Sequence, residues 1–274
     1  MPFDALVMQR HDVPIEGSSP CPMPLRSARV LGVPIHAVDW PGALQTISHW
    51  ASRRESRCVC ICNVHSVVTA SQQAEFRAAI EQADLATPDG APVAWMLRRL
   101  GVARQERISG PDLMHRYCAL AANRNESIFL LGGTVGVLQG LQDALLADFP
   151  GLRIAGTSSP PFRPLTSEED DALVAQINAS GAGVVWVGLG CPKQELWMHA
   201  HRGRVQAVMV GVGAAFPYLS GMARRAPTWM QRCGLEWLHR LASEPRRLWR
   251  RFLFTNSYFI VGALGQLWRR LLER

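Results

Sequence analysis

The sequence has almost no lysine: Lys193 stands alone against 28 arginines. No apolar run reaches the 18 residues expected of a membrane-spanning helix. The nearest approach, Phe252 to Trp268, is interrupted by Thr255, Asn256, Ser257 and Gln266. The first residues mix Asp4, Arg10, His11 and Asp12 with proline and lack the basic-then-apolar layout of a secretion signal. Cysteines number seven, an odd count, and no second ligand cluster stands at zinc spacing. Cys58, Cys60 and Cys62 alternate in a strand-like run and so share one face, which reads as small buried thiols. Free thiols at this frequency fit a reducing cytoplasm. Tandem repeats are absent.

What remains is a globular chain of 274 residues with 48% hydrophobic and 19% charged content, enough for a large α/β core. The net charge of +7 is unevenly placed. Residues 222–274 carry eleven Arg against Glu236, Glu244 and Glu273, so the last fifth holds the whole positive excess and calls for an anionic partner.

Residues 1–27 read as an irregular, Pro- and Ser-rich leader. Ala28 to Ile35 is β-like, and Asp39-Trp40-Pro41-Gly42 opens a helix. Arg57 to Asn63 is a strand, Val67 to Gln82 a helix, Asp84 to Thr87 a strand and Ala91 to Leu100 a helix. Further strands are predicted at Ser127 to Leu131, Leu152 to Gly156, Val184 to Gly190 and Val205 to Gly213, each followed by a loop or helix. Thr166 with Glu169 has the spacing of a capping box. Strands apolar on both faces, alternating with helices, predict one doubly wound, mostly parallel α/β sheet over residues 28–221. A helical appendage follows over 222–274.

Candidate site residues collect at strand ends, where parallel sheets bind ligands. Thr87-Pro88-Asp89-Gly90 holds a carboxylate in a defined direction, although an isolated turn of this type is usually a solvated turn. Asn63 and His65 end another strand. Asn63 suits a sugar or base, and His65 an acid or base near neutral pH, against the commoner structural histidine. Gly132-Gly133-x-x-Gly136 suits phosphate or, nearly as well, tight strand–helix packing; it is not a full dinucleotide fingerprint. In Gly190-Cys191-Pro192-Lys193-Gln194-Glu195, Gln194 and Glu195 offer hydrogen bonds to hydroxyls, while Glu195 also suits a first helical turn.

In the tail, Arg residues interleave with Trp237, Trp249, Phe252, Phe254, Tyr258, Phe259 and Trp268. The stretch Phe252 to Leu264 is too apolar for a nucleic-acid groove, so the surface of an anionic membrane is the expected partner. Arg240, Arg247 and Arg250 fall at i, i+7 and i+10, which predicts one helical face suited to a diphosphate.

Together these segments resemble the WecG/TagA/CpsF family of bacterial glycosyltransferases. The matching stretches are Asn63, Ala83-Asp84-Leu85…Pro88-Asp89-Gly90, Glu106-Arg107…Gly110…Asp112, Leu131-Gly132-Gly133, Gly188 to Glu195, and Arg225-Ala226-Pro227…Gly234-Leu235-Glu236-Trp237…Arg240-Leu241…Glu244-Pro245. The resemblance implies inverting, metal-independent transfer from a UDP-sugar to a polyisoprenyl-diphosphate-linked acceptor, in exopolysaccharide or other surface-polysaccharide synthesis, by a peripheral enzyme at the cytoplasmic face of the inner membrane. No cofactor and no nucleic acid are implied, and an oligomer is compatible with it. Asp89 is then the general base, Asn63, Arg107 and Gln194 line the sugar pocket, and Arg240, Arg247 and Arg250 close over the donor diphosphate. No Asp-x-Asp motif is present to hold a donor-bound metal. The chain departs from the family pattern at Ile61, where Thr is frequent, at Pro217, where Asp is usual, and at Ser158-Ser159-Pro160-Pro161. His65 and Pro217 lean the donor towards glucose rather than N-acetylmannosamine. A nicotinamide-dependent oxidoreductase and a non-catalytic membrane-surface module are the competing readings.

Overall fold

The computed structural model describes residues 26–273, so residues 1–25 of the leader expected over 1–27 lie outside the described residues, and Ser27 already belongs to the first strand. It opens on β1 (Ser27–Val30) and β2 (Val33–His36), paired antiparallel with Ser27 opposite His36. The continuous β segment expected from Ala28 to Ile35 is therefore a hairpin. Leu31 and Gly32 take φ of +50° and +82°, and positive φ at both central residues reverses a chain in two residues.

α1 (Trp40–Ser52) begins at Asp39, whose side chain accepts from Gly42 N, a cap worth about 1 kcal/mol. β3 (Arg57–Cys62) follows. The single helix expected over Val67 to Gln82 is two, α2 (Val64–Gln72) and α3 (Ala74–Glu81), with Gln73 extended between them. Arg77 Nε donates at 3.1 Å to the Ala70 carbonyl that this break leaves open. The alternation continues through β4 (Leu85–Pro88), α4 (Ala91–Arg99), α5 (Gly110–Arg124), β5 (Ser127–Gly132) and α6 (Val135–Asp148). β6 (Arg153–Ser158), α7 (Ser167–Ser180), β7 (Val184–Gly188), α8 (Lys193–Ala200), β8 (Val208–Gly211) and α9 (Ala215–Leu219) complete it. Thr166 and Glu169 form the capping box at the start of α7.

The main sheet has the order β4-β3-β8-β7-β5-β6, and every neighbouring pair is parallel. Both faces are covered, as the doubly apolar strands require. Cys58, Cys60 and Cys62 of β3 face one core with Phe76 and Met198, while Val59 and Ile61 face the other with Tyr117 and Trp186. Because all six strands run the same way, their carboxyl ends lie along one edge.

α10 (Thr228–Arg232), α11 (Glu236–Ser243) and α12 (Pro245–Leu272) follow. α12 buries Leu248, Thr255, Phe259 and Ala263, which recur at helical spacing on one face. Phe259 and Ala263 join the core on the cysteine side of β3. Gln266 accepts from Leu31 N at 2.9 Å and donates to the Arg29 carbonyl at 2.6 Å. A Cβ on Gly262 would meet Leu31 Cδ2 at 2.8 Å, so glycine there lets the hairpin turn pack against the helix. The opposite face exposes Leu253, Phe254, Ile260, Val261, Leu264 and Trp268. No helix among the described residues is long and apolar enough to cross a membrane.

Candidate functional site

Asp89 follows β4 directly, and its N–H donates to the Cys62 carbonyl at 2.9 Å, extending the ladder by one bond. Gly90, at φ +84°, then turns the chain into α4. Asp89 Oδ1 accepts from Arg107 Nε at 3.1 Å, and Arg107 Nη2 donates to Glu236 Oε2 at 2.5 Å. Beside them Arg225 grips Asp112 through both Nη atoms, at 2.5 and 2.8 Å, and its Nε lies 4.0 Å from Glu236. Ser109 also donates to Asp112.

Three carboxylates thus share two guanidiniums in a largely buried cluster, leaving one negative charge in excess. Burial pushes the Asp89 carboxyl up, Arg107 opposes this and Glu236 adds to it, with a net rise above the usual carboxylate range. Asp112 goes the other way: burial works against ionisation, but the hydrogen bonds and charge of Arg225 hold it low. Asp89 and Asp112, in one cluster, are thus shifted in opposite directions.

On the neighbouring strand, Asn63 caps α2, its Oδ1 accepting from Ser66 N at 3.1 Å. Its amide nitrogen is unengaged among the described residues. His65 Nδ1 lies 3.4 Å from Thr69 Oγ1. Burial, then the charges of Arg251 and Arg240, hold the imidazole down to about 4. This corrects the expectation of a group titrating near neutrality: His65 is a neutral imidazole there.

The loop after β7 splits its candidates. Lys193 is exposed at the start of α8, whereas Gln194 and Glu195 are buried. Gln194 Oε1 accepts from Gly190 N at 3.2 Å, and its Nε2 donates to Glu195 Oε1 at 2.9 Å. Glu195 is 1% exposed and Oε2 has no partner among the described residues, so it does not present itself to an external hydroxyl as expected. Burial raises its carboxyl to about 7. Burial likewise pushes Cys60 and Cys62 well up, and Glu195 adds to both. Ser66 Oγ, 3.9 Å from Cys191 Sγ, joins this loop to the start of α2.

Gly132 and Gly133 adopt φ of +109° and +74°. A Cβ on Gly132 would stand 2.7 Å from the Gly188 carbonyl carbon, so that glycine serves the close approach of β5 and β7. Ser159 Oγ donates to the Gly133 carbonyl at 2.7 Å, fastening the Pro-rich loop over it. Ile61 is buried in the core rather than lining the edge, and Pro217 is half-buried in α9.

The arginine triad requires a correction. Arg240 lies in α11, while Arg247 and Arg250 lie in α12, so the three do not share one helical face. Glu244, at φ −137° and ψ 60°, separates the helices because the ring of Pro245 disfavours helical backbone before it. Arg250 lies over the Trp249 ring at 5.2 Å, on the outer side of α12. Arg251, by contrast, is part-buried and its charge reaches His65. Burial and the charges of Arg240 and Arg247 hold Arg251 below its usual value, and its Nε is buried without a partner among the described residues. The pre-proline break was the sequence signal for this change of phase. Glu236 and Arg225 stood in quoted motifs, but no local pattern named their partners, 129 and 113 residues away.

Residues 28–273 match the model of the glycosyl transferase WecG/TagA/CpsF family. A Bacillus spizizenii protein named N-acetylglucosaminyldiphosphoundecaprenol N-acetyl-beta-D-mannosaminyltransferase is 32% identical over 232 residues, covering 82% of this chain and 88% of its own length. A catalogue of polar groups along one sheet edge and the match over nearly all described residues agree, and the chain belongs to the WecG/TagA/CpsF family of glycosyl transferases.

Proposed function

We propose that this glycosyltransferase moves a hexose, with inversion and without a metal, from a UDP-sugar to an acceptor carried on a polyisoprenyl diphosphate. Asp89 takes the proton of the acceptor hydroxyl as that oxygen attacks the anomeric carbon and the bond to UDP breaks. Arg240, Arg247 and Arg251 balance the charge left on the departing diphosphate. Asn63, through its unengaged amide, orients the sugar, while Gln194, buried with both amide atoms engaged, shapes the loop after β7.

The observation that carries this reading is a carboxylate at the end of β4, held by Arg107, on the same sheet edge as His65, which feels the charges of Arg251 and Arg240. The Bacillus relative's name specifies an undecaprenyl-diphosphate acceptor bearing N-acetylglucosamine, which supports a lipid-linked acceptor here. It also favours N-acetylmannosamine as the hexose, whereas Pro217 and His65 favour glucose. The apolar outer face of α12, bordered by Arg246, Arg250 and Arg269, supports contact with an anionic bilayer at the cytoplasmic side. No observation favours the oxidoreductase or the scaffold.

The test is direct. Incubated with labelled UDP-glucose or UDP-N-acetylmannosamine and a polyprenyl-diphosphate N-acetylglucosamine acceptor, the full chain transfers one label to lipid with EDTA present, and Asp89→Asn loses roughly 10²- to 10⁴-fold in turnover. Near-normal turnover by that variant removes Asp89 as the base.

A further inference from the structure

The Nε and Nη2 groups of an arginine form the edge that can take a single carboxylate with two parallel hydrogen bonds. In Arg107 that edge is divided. Nε goes to Asp89 and Nη2 goes to Glu236. Asp89 therefore receives one hydrogen bond from Arg107 where the same guanidinium has two to give. Glu236 comes from the first turn of α11, 129 residues further along the chain, and reaches the cluster only because α11 docks over the sheet edge.

We propose that Glu236 is a positioning residue for the transfer reaction: by occupying half of the Arg107 fork it prevents a two-bond ion pair at Asp89, and it does so only while the C-terminal segment is docked. This rests on the assignment of Asp89 as base. It makes docking of the segment that carries Arg240, Arg247 and Arg251 the event that also readies the carboxylate, so a base without its diphosphate-binding partners is a quenched base.

The charged and titratable groups around Asp89 are few. Arg107 faces it from the loop before α5, Arg225 from the segment after α9, Glu236 from α11 and Cys62 from the end of β3. Asp112 of α5 is committed to Arg225, and Tyr218 of α9 faces Glu236. Removing the charge of Glu236 leaves Asp89 and Asp112 balanced by Arg107 and Arg225, so of the two influences that raise Asp89 only burial remains.

Two readouts test this in the full chain. In the transfer assay, Glu236→Gln moves the acid limb of the kcat/KM–pH profile down by about one pH unit and lowers kcat, with donor KM within about twofold. Glu236→Asp, which keeps the charge, restores the limb. An unmoved limb in Glu236→Gln overturns the proposal. The second readout needs no catalysis. A carboxyl whose folded-state pKa is raised favours folding as pH falls through that value, so the unsubstituted chain gains melting temperature relative to Asp89→Asn on acidification. In the Glu236→Gln background this pH-dependent gap shifts down by about one unit. An unchanged gap overturns the proposal. Near-normal transfer by Asp89→Asn, with the gap shifting as described, sinks the assignment of Asp89 as base while leaving the Glu236 linkage standing.

Discussion

The guanidinium of Arg251 opposes protonation of His65 across the contact between α12 and α2. A part-buried guanidinium beside a neutral imidazole, with the charges of Arg240 and Arg247 close by, makes this a place suited to an anion. Arg240 adds to the same repulsion on both residues.

Arg251 and Arg250 should therefore behave differently despite adjacency. Arg251→Ala is expected to lower kcat/KM by roughly 10- to 100-fold, the worth of charge-assisted hydrogen bonds to a phosphate. Arg250→Ala is expected to stay within about threefold in detergent, where bilayer contact is not required. Equal losses would return Arg250 to the site.

His65 offers a binding signal. Its imidazole is held to about 4 by burial and by Arg251 and Arg240. A bound diphosphate neutralises those charges, so saturating UDP should raise the His65 value by about one unit or more. An NMR titration of the ring resonances, with and without UDP, measures it. No movement would place the diphosphate elsewhere.

Glu195 couples the fold to pH. Its carboxyl stands at about 7 in the folded state against 4.5 as an ordinary glutamate, because burial disfavours the charge. The folded chain then binds the proton more tightly than the unfolded chain. Stability is full below the unfolded value and is lost as pH rises through about 7, by an amount on the order of 3 kcal/mol. Glu195→Gln should remove that loss, so its melting temperature relative to the unsubstituted chain rises between pH 5 and about 8. A gap independent of pH would show that the buried carboxyl does not titrate.

The outer face of α12 should partition to bilayers. Leu253→Asp with Leu264→Asp is expected to weaken binding to phosphatidylglycerol vesicles at least tenfold while leaving the melting temperature in place, since both side chains are exposed. Unchanged vesicle binding would remove this face from the proposed membrane contact.

Much of the architecture was legible in order along the chain. Val184 to Val187 and the Cys58–Cys62 alternation give strands buried on both sides, and Asp39 and Thr166 mark helix starts through bonds to residues three positions away. Asp89 was legible for the same reason, since Pro88 and Gly90 fix its direction locally. The Leu31–Gly32 reversal was not, because a leucine at positive φ depends on Gly262 and Gln266, more than 200 residues later. Nor was the part-buried position of Arg251 beside an exposed Arg250, although Pro245 gave notice that a helical phase could not carry through.

Short-range periodicity, turn residues and the order of motifs were enough to specify the parallel sheet, the edge on which polar groups gather, and the family. The tertiary structure alone decided charge states. Asp89 is raised, Asp112 lowered and His65 kept neutral by neighbours that arrive from distant segments, and the energy of a charge depends on what surrounds it in space and on how much water is excluded.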